Sequence, residues 1–488
     1  MYQIQNTFIT LLDTMLITLE CVLLALQAVA AVRLALHSPS GIDSQSSNRL
    51  SKRSPVELDG DITKCYTIKF NVDGVNLNLR VDSDASNIIV PLPSSSNDVG
   101  LAIQSTPSGE PVTIKYRGKE YNGVTSTAAV TIPGTSITDI NLPILAVEKL
   151  SPYLVGIGGT LKQGVFGFGH SLLSDRHSQT TAMDALYTND VIPNNEVGIQ
   201  LCPYDMLQES FINIGNTDIT AKCGTDGNSV AWVQSPSNDQ FSVNIKSMLV
   251  NGKKVDLPEE FQQVVENGRA LYSYLRTCST YMYLPKVVVK ALIDAILDSN
   301  AITFKSILFK NKLGKKIIKR ILQRNSPIPK FDFNIDWGKL PTITIVMFSQ
   351  NPVTDANCNS VVTIKLGPKD YIQRVDSKNY LFTVAAGPND NVVLGTSFMT
   401  RLILTFDRVH KRIGFGPGCG CEVMADGYPT ISDHYRVLWP LTQLPEQPST
   451  SSSDVTSTLR RSLSRFGSTL RDSIRRGTKR LKFGYKKI

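Results

Sequence analysis

From Cys65 onward the chain alternates between apolar and polar residues. Tyr66-Thr67-Ile68-Lys69-Phe70-Asn71-Val72 has period two, Asp73-Gly74 follows, and Val75–Val81 alternates again. Alternation places one set of side chains on each face of a strand, and Asp-Gly is a sequence that tolerates the left-handed backbone of a two-residue turn, so the segment predicts a hairpin. The pattern recurs in short runs at Val112–Tyr116, Val124–Ile132, Ile140–Val147, Val230–Val233, Ser242–Val250, Ile343–Met347, Ser360–Leu366, Leu381–Ala385 and Leu402–Phe406. Helical periodicity is scarce and is clearest over Leu284–Leu297, where Val288, Leu292, Ile293, Ile296 and Leu297 share a face. The fold class expected is mostly β.

A chain of 488 residues exceeds one ordinary core, so a large two-lobed fold or several domains is implied. The net charge of +9 is not spread over such a body. Residues 454–488 hold eleven Lys and Arg against Asp454 and Asp472, which accounts for the whole excess. A second basic run lies between Lys305 and Lys330, within an expected insertion at 301–330 whose apolar residues (Ile307, Leu313, Ile317, Ile318, Ile321, Leu322) fall at helical spacing. Gln447–Thr458 reads as a Ser/Thr/Pro linker. Beyond it Leu459, Leu463, Phe466, Leu470 and Ile474 form an apolar stripe among arginines, the pattern of a helix lying on an anionic membrane surface; a basic tail without fixed structure is the competing reading. Nothing points to nucleic acid as a partner.

The N-terminus is apolar, with only Asp13, Glu20 and Arg33 charged between Phe8 and Leu36. Residues 1–31 read as a signal peptide with Ala28-Val29-Ala30 as the small-residue cleavage site, or as an uncleaved signal anchor. Lys52-Arg53 would end a short propeptide over 32–53, or else lie in an exposed linker. A secretory-pathway protein is expected, secreted or held at the membrane by its N-terminal segment. Seven cysteines remain beyond Cys21, spaced too sparsely for a zinc site, and Cys419-Gly420-Cys421 is too short for a CxxC knuckle. An odd number leaves at least one unpaired thiol. No metal or cofactor is implied.

The chemistry centres on Leu79-Arg80-Val81-Asp82-Ser83-Asp84-Ala85-Ser86-Asn87, followed by the apolar run Ile88-Ile89-Val90-Pro91. This segment resembles the first active-site loop of the pepsin-like aspartic proteases, hydrophobic-Asp-Thr-Gly-Ser-Ser-Asn. Asp82 falls on the catalytic aspartate, Ser83 on Thr, Asp84 on Gly, and Ala85 on the Ser that hydrogen-bonds the carboxylate. The resemblance continues in order. Lys115–Lys119 with Thr127–Pro133 is similar to the flap, with Tyr116 on its tyrosine. Gly164–Gly169, containing Gly167, and Val392–Phe398, containing Gly395, are similar to the two turns that support the aspartate loops. Ile199–Cys202 and Ile212–Asp218 resemble the end of the first lobe, and Phe406–Phe415 most resembles the closing strands of the beta-secretase (memapsin) members. The likeness covers about 60–425 and implies a bilobal fold with an N-terminal lobe over 54–205, a C-terminal lobe over 206–440 and a tail over 441–488. It also implies a disulfide from Cys202 to Cys419 or Cys421.

The family's hydrolysis rests on two facing carboxylates that share a proton, one acting as base on water and the other as acid. Here Arg276-Thr277-Cys278-Ser279-Thr280 aligns with the second loop, placing Arg276 on the second aspartate. No Asp or Glu lies between Arg269 and Leu292, so a local shift in alignment restores none. Arg276 is expected about 3–4 Å from Asp82, in the space of the attacking water. A guanidinium neither takes nor returns that proton at neutral pH. With Ala85 in place of Ser and Cys278 in place of Gly, the resemblance implies a homologue without peptidase activity. Its cleft, with Tyr116, Ser83, Ala85, Thr277, Cys278, Ser279 and Thr280, would bind a peptide or protein. An active aspartic endopeptidase is the first alternative, and a membrane-surface or polyanion-binding role for the basic tail the second. Cys278 as a nucleophile would need a paired histidine, and none of the five sits in such a motif. The Gly156–Gly169 run lacks the Gly-Lys-Ser/Thr ending of a phosphate loop.

Overall fold

The computed structural model describes residues 56–91, 109–116, 119–147, 164–170, 180–215, 230–262, 265–266, 269–270, 272–306, 312–387, 391–418, 421 and 427–438. The leader, the dibasic site, most of the Gly156–Gly169 run, Cys223, Cys419 and the basic tail lie outside the described residues.

The first hairpin forms as its alternation predicts. Thr67–Val72 pairs antiparallel with Val75–Asp82 from Thr67↔Arg80 to Val72↔Val75. Asp73 and Gly74 take positive φ of 48° and 83°, the twist that a two-residue turn needs to match its strands. This hairpin opens a seven-stranded sheet in the order Thr67–Val72, Val75–Asp82, Val165–Gly167, Ile88–Pro91, Ile140–Val147, Lys119–Thr131 and Pro111–Tyr116. The last two strands make the flap hairpin, whose register closes at Tyr116↔Lys119.

The second half repeats the central pattern. Its five-stranded sheet runs Ser242–Val243, Ser273–Leu275, Val393–Leu394, Met282–Leu284, Val384–Ala386. In the first half Val75–Asp82 is parallel to Val165–Gly167, which is antiparallel to Ile88–Pro91. In the second, Ser273–Leu275 is parallel to Val393–Leu394, which is antiparallel to Met282–Leu284. Two loops of the same construction, Ser83–Asn87 and Arg276–Tyr281, therefore leave equivalent strands.

A six-stranded sheet joins the halves, in the order Val56–Glu57, Phe211–Ile214, Glu196–Gln200, Leu402–Asp407, Arg412–Pro417, Ala231–Gln234. Its central pairing, Glu196–Gln200 against Leu402–Asp407, crosses from one half to the other. The disulfide Cys202–Cys421 sits beside this seam and decides between the two partners expected for Cys202. A further six-stranded sheet, from Lys253–Val255 to Arg436–Leu438, belongs to the second half. The main hydrophobic core runs through both halves, with Phe168, Phe241 and Phe406 packed in tilted and edge-to-face contacts at the junction. The fold is the mostly β, bilobal one that the resemblance implies.

Two expected strands are broken. Ser242–Val250 divides at Asn244, with a register shift between Ile245 and Ser247. Leu381–Ala385 divides at Thr383, whose carbonyl accepts from the Met282 N–H while its own N–H donates to Tyr371. The 301–330 insertion contains a helix over Lys312–Gln323 that buries Ile318 and Leu322 against the body, so its apolar stripe is packed by one face.

Candidate active site

Asp82 ends its strand in register with Gly167, and its carbonyl accepts from the Phe168 N–H. A Cβ on Gly167 would lie 2.5 Å from the carbonyl carbon of Ala85. Only glycine lets the supporting strand approach the loop this closely. The second loop is held in the same way: the Arg276 N–H donates to Leu394 O at 3.0 Å, and Gly395 packs directly against the carbonyls of Ser279 and Tyr281. Arg276 therefore occupies, relative to Gly395, the place that Asp82 occupies relative to Gly167.

The two loops are tied by a reciprocal set of buried hydrogen bonds. The Ser83 N–H donates to Thr277 Oγ1 at 2.9 Å, and the Thr277 N–H donates to Ser83 Oγ at 3.1 Å. Each hydroxyl also reaches a carbonyl on the opposite side, Ser83 Oγ to Leu275 O at 3.2 Å and Thr277 Oγ1 to Val81 O at 2.9 Å. Both hydroxyls thus donate and accept, which leaves no buried donor wasted at the junction.

Asp82 is 0% exposed and Tyr116 4% exposed. Asp82 Oδ1 accepts from the Asp84 N–H at 3.0 Å, and Oδ2 accepts a short bond from the Tyr116 hydroxyl. The flap tyrosine thus closes directly on the aspartate, over a small apolar cluster that includes Ala85, Ile89 and Tyr121. A ligand reaching Asp82 has to lift the flap and replace that hydroxyl.

The sequence set Arg276 against Asp82. In the structure its guanidinium bonds at 2.5 Å to the carboxylate of Asp84, two residues further along the same loop. The side chains are 26% and 17% exposed, so the pair is partly desolvated. The other oxygen of Asp84 accepts from Gln240 Nε2 at 3.2 Å. Burial raises the pKa of the neighbouring Tyr274 phenol; the Arg276 charge opposes this and that of Asp84 adds to it, so the phenol remains a neutral hydroxyl.

Cys278, which the sequence offers as bulk where glycine is usual or as a nucleophile without a paired histidine, forms a disulfide with Cys65 across 213 residues of chain. Its sulfur is therefore no nucleophile. Ser279 accepts the Thr396 hydroxyl at 3.0 Å through its carbonyl, and the Thr280 carbonyl accepts the Ser397 N–H, so both contribute backbone to the loop's support. Three contributors escaped the sequence reading: Cys65, Gln240 and the charge role of Asp84. The opposite charges at 84 and 276, on the two loops that the resemblance sets face to face, were the signal for the last.

Two disulfides within one chain indicate an oxidising compartment, consistent with the secretory pathway. Among the described residues no helix is long and apolar enough to cross a membrane. A comparison with known families matches residues 102–418 to eukaryotic aspartyl protease, a stretch that contains Tyr116 and Arg276 and begins after Asp82. That match covers about two thirds of the sequence and agrees with the paired loops, their glycine supports and the flap, so the chain belongs to the eukaryotic aspartyl protease family.

Proposed function

We propose that this chain is a pepsin-like homologue without peptidase activity, nearest to the beta-secretase-like members, whose cleft binds a peptide or protein segment beneath the Tyr116 flap. The observation that carries the reading is the position of Arg276, equivalent to Asp82 about the two glycine supports and bonded at 2.5 Å to Asp84. In this reading Arg276 takes the place of the second catalytic aspartate. A two-carboxylate mechanism needs a group opposite Asp82 that can cycle between acid and base, and a guanidinium stays protonated throughout the working range. Asp84 does not substitute, because its charge is already committed to Arg276. What remains, two loops tied by buried hydrogen bonds beneath the Tyr116 flap, is suited to holding an extended peptide without cutting it.

The test is a degenerate peptide library incubated with the purified protein between about pH 3 and 7, read by mass spectrometry and by hydrogen exchange. The expected result is a subset of intact peptides retained on the protein, with amide protection gained in Pro111–Tyr116, Lys119–Thr131 and Ser273–Leu284. Cleavage that a pepstatin-type inhibitor blocks and Asp82→Asn abolishes would restore the active-endopeptidase reading. Retention with no protection at the flap would remove the cleft as the binding site.

A further inference from the structure

The cationic 301–330 insertion builds a groove on the second half that the cleft reading does not use. Helix Lys312–Gln323 packs across helix Lys286–Ser299, and between them lies a cavity of about 360 Å³, within the size range of specific ligand sites. Its floor is apolar, with Val289, Ile293, Leu322 and Ala385, and Lys286, Lys290 and Lys319 also line it. Asp294 is the one acid among the lining residues and faces Lys319 at 3.4 Å. Lys290 and Lys319 outnumber that carboxylate and leave the groove positive. From its apolar floor and excess of lysines, we infer that this groove docks an acidic peptide segment of a partner protein, seating an apolar side chain on the floor and its flanking carboxylates on the lysines.

Two further observations define how such a segment would bind. The strand Val384–Ala386 forms one edge of its sheet and lines the groove, so a peptide could in principle add as another strand. Asn325 blocks that mode: its side-chain amide donates to Phe382 O and to Val384 O, both at 2.7 Å, satisfying the carbonyls that an added strand would use. Recognition therefore falls to side chains. The helix is also poorly disposed to enter a lipid surface, because Ile318 and Leu322, the centre of its apolar stripe, are buried against the protein. A concave, cationic site with an apolar floor fits a peptide anchor better than a flat bilayer.

The test uses the full chain and a fluorescein-labelled, end-capped peptide of glutamates with two interspersed leucines, titrated by anisotropy. Saturable, salt-sensitive binding is expected. It should weaken at least tenfold when the leucines become serines, and at least tenfold in Lys290→Glu/Lys319→Glu, where loss of the exposed Lys319–Asp294 pair lowers the unfolding midpoint only slightly. No saturation at millimolar peptide overturns the proposal. So does binding that survives the charge reversals, which would assign it to the basic C-terminal tail. Loss of binding to phosphatidylserine vesicles in the variant, without peptide binding, would make the surface a membrane contact. Concentration-dependent sedimentation abolished by the same variant would make it a contact between copies of this chain.

Discussion

Removing the Cys65–Cys278 bridge is the sharpest structural perturbation available. It joins the strand pair that leads to Asp82 to the loop that carries Arg276, and so ties the two halves at the site itself. The bridge spans 213 residues of sequence. The chain-entropy relation gives an unfolded-state loss of about 18 cal/mol/K for a loop of this length, or about 5 kcal/mol at 25 °C. That is an upper figure, because Cys202–Cys421 spans an overlapping 219 residues and already restricts the unfolded chain. A loss of about 2–5 kcal/mol is therefore expected for Cys65→Ala/Cys278→Ala, the double change being used so that no new thiol is left. The assay is urea unfolding of oxidised protein, followed by fluorescence and by circular dichroism, since a two-lobed chain can depart from two-state behaviour. Alkylation of the native protein before digestion supplies the control: the half-buried Cys358, unpaired among the described residues, should label in both proteins. A loss below about 0.5 kcal/mol, or labelling of Cys65 in the untreated native protein, would refute the clamp.

Other consequences concern the seam and acid. Arg408 donates from one Nη to both oxygens of Asp184 at 3.0 and 3.1 Å and to the Thr181 hydroxyl at 3.1 Å, linking the halves through a side chain 3% exposed. Asp184→Asn leaves that guanidinium without its carboxylate and should cost about 3–5 kcal/mol at neutral pH, measured by urea unfolding. Burial opposes ionisation of Asp184, but Arg408 and the hydrogen bonds of Thr181 and Asn195 outweigh it and hold its pKa below the usual carboxyl value. Its contribution is therefore present above the unfolded pKa and lost as pH falls through the lower folded one, so wild type and Asp184→Asn should converge at strongly acidic pH. His170 titrates at about 4 instead of 6.5, first because it is buried and then because Arg408 and Lys411 repel its proton. The unfolded chain thus takes up that proton first, and up to about 3 kcal/mol of stability is lost between about pH 6.5 and 4. His170 stacks on Phe241 with ring centroids 4.5 Å apart, so His170→Phe should keep the packing and flatten that decline; an unchanged slope would assign the acid sensitivity elsewhere.

Most of the strand framework was legible because one buried face enforces period two. Ile140–Val147 forms over the bounds its alternation marks. Asn251-Gly252 turns a second hairpin with φ of 48° and 78°, on the same kind of turn signal as Asp73-Gly74. The breaks at Asn244 and Thr383 were not legible, because each depends on which neighbouring strand captures the backbone. The site divides in the same way. Asp82, Tyr116, Ser83 and Thr277 are set by local motif and meet as their order along the chain suggests. The Cys65–Cys278 bridge and the pairing of Arg276 with Asp84 are tertiary outcomes between segments about 200 residues apart, where spacing carries no information.

The proposed inactivity turns on whether the cation at the second loop ends acid–base chemistry at Asp82. The most direct measurement is the initial rate of peptide-bond hydrolysis by the wild type beside Asp82→Asn, across about pH 3 to 7 on a pooled peptide substrate. The same background rate is expected for both proteins at every pH. A wild-type rate that exceeds background and falls to it in Asp82→Asn would contradict it.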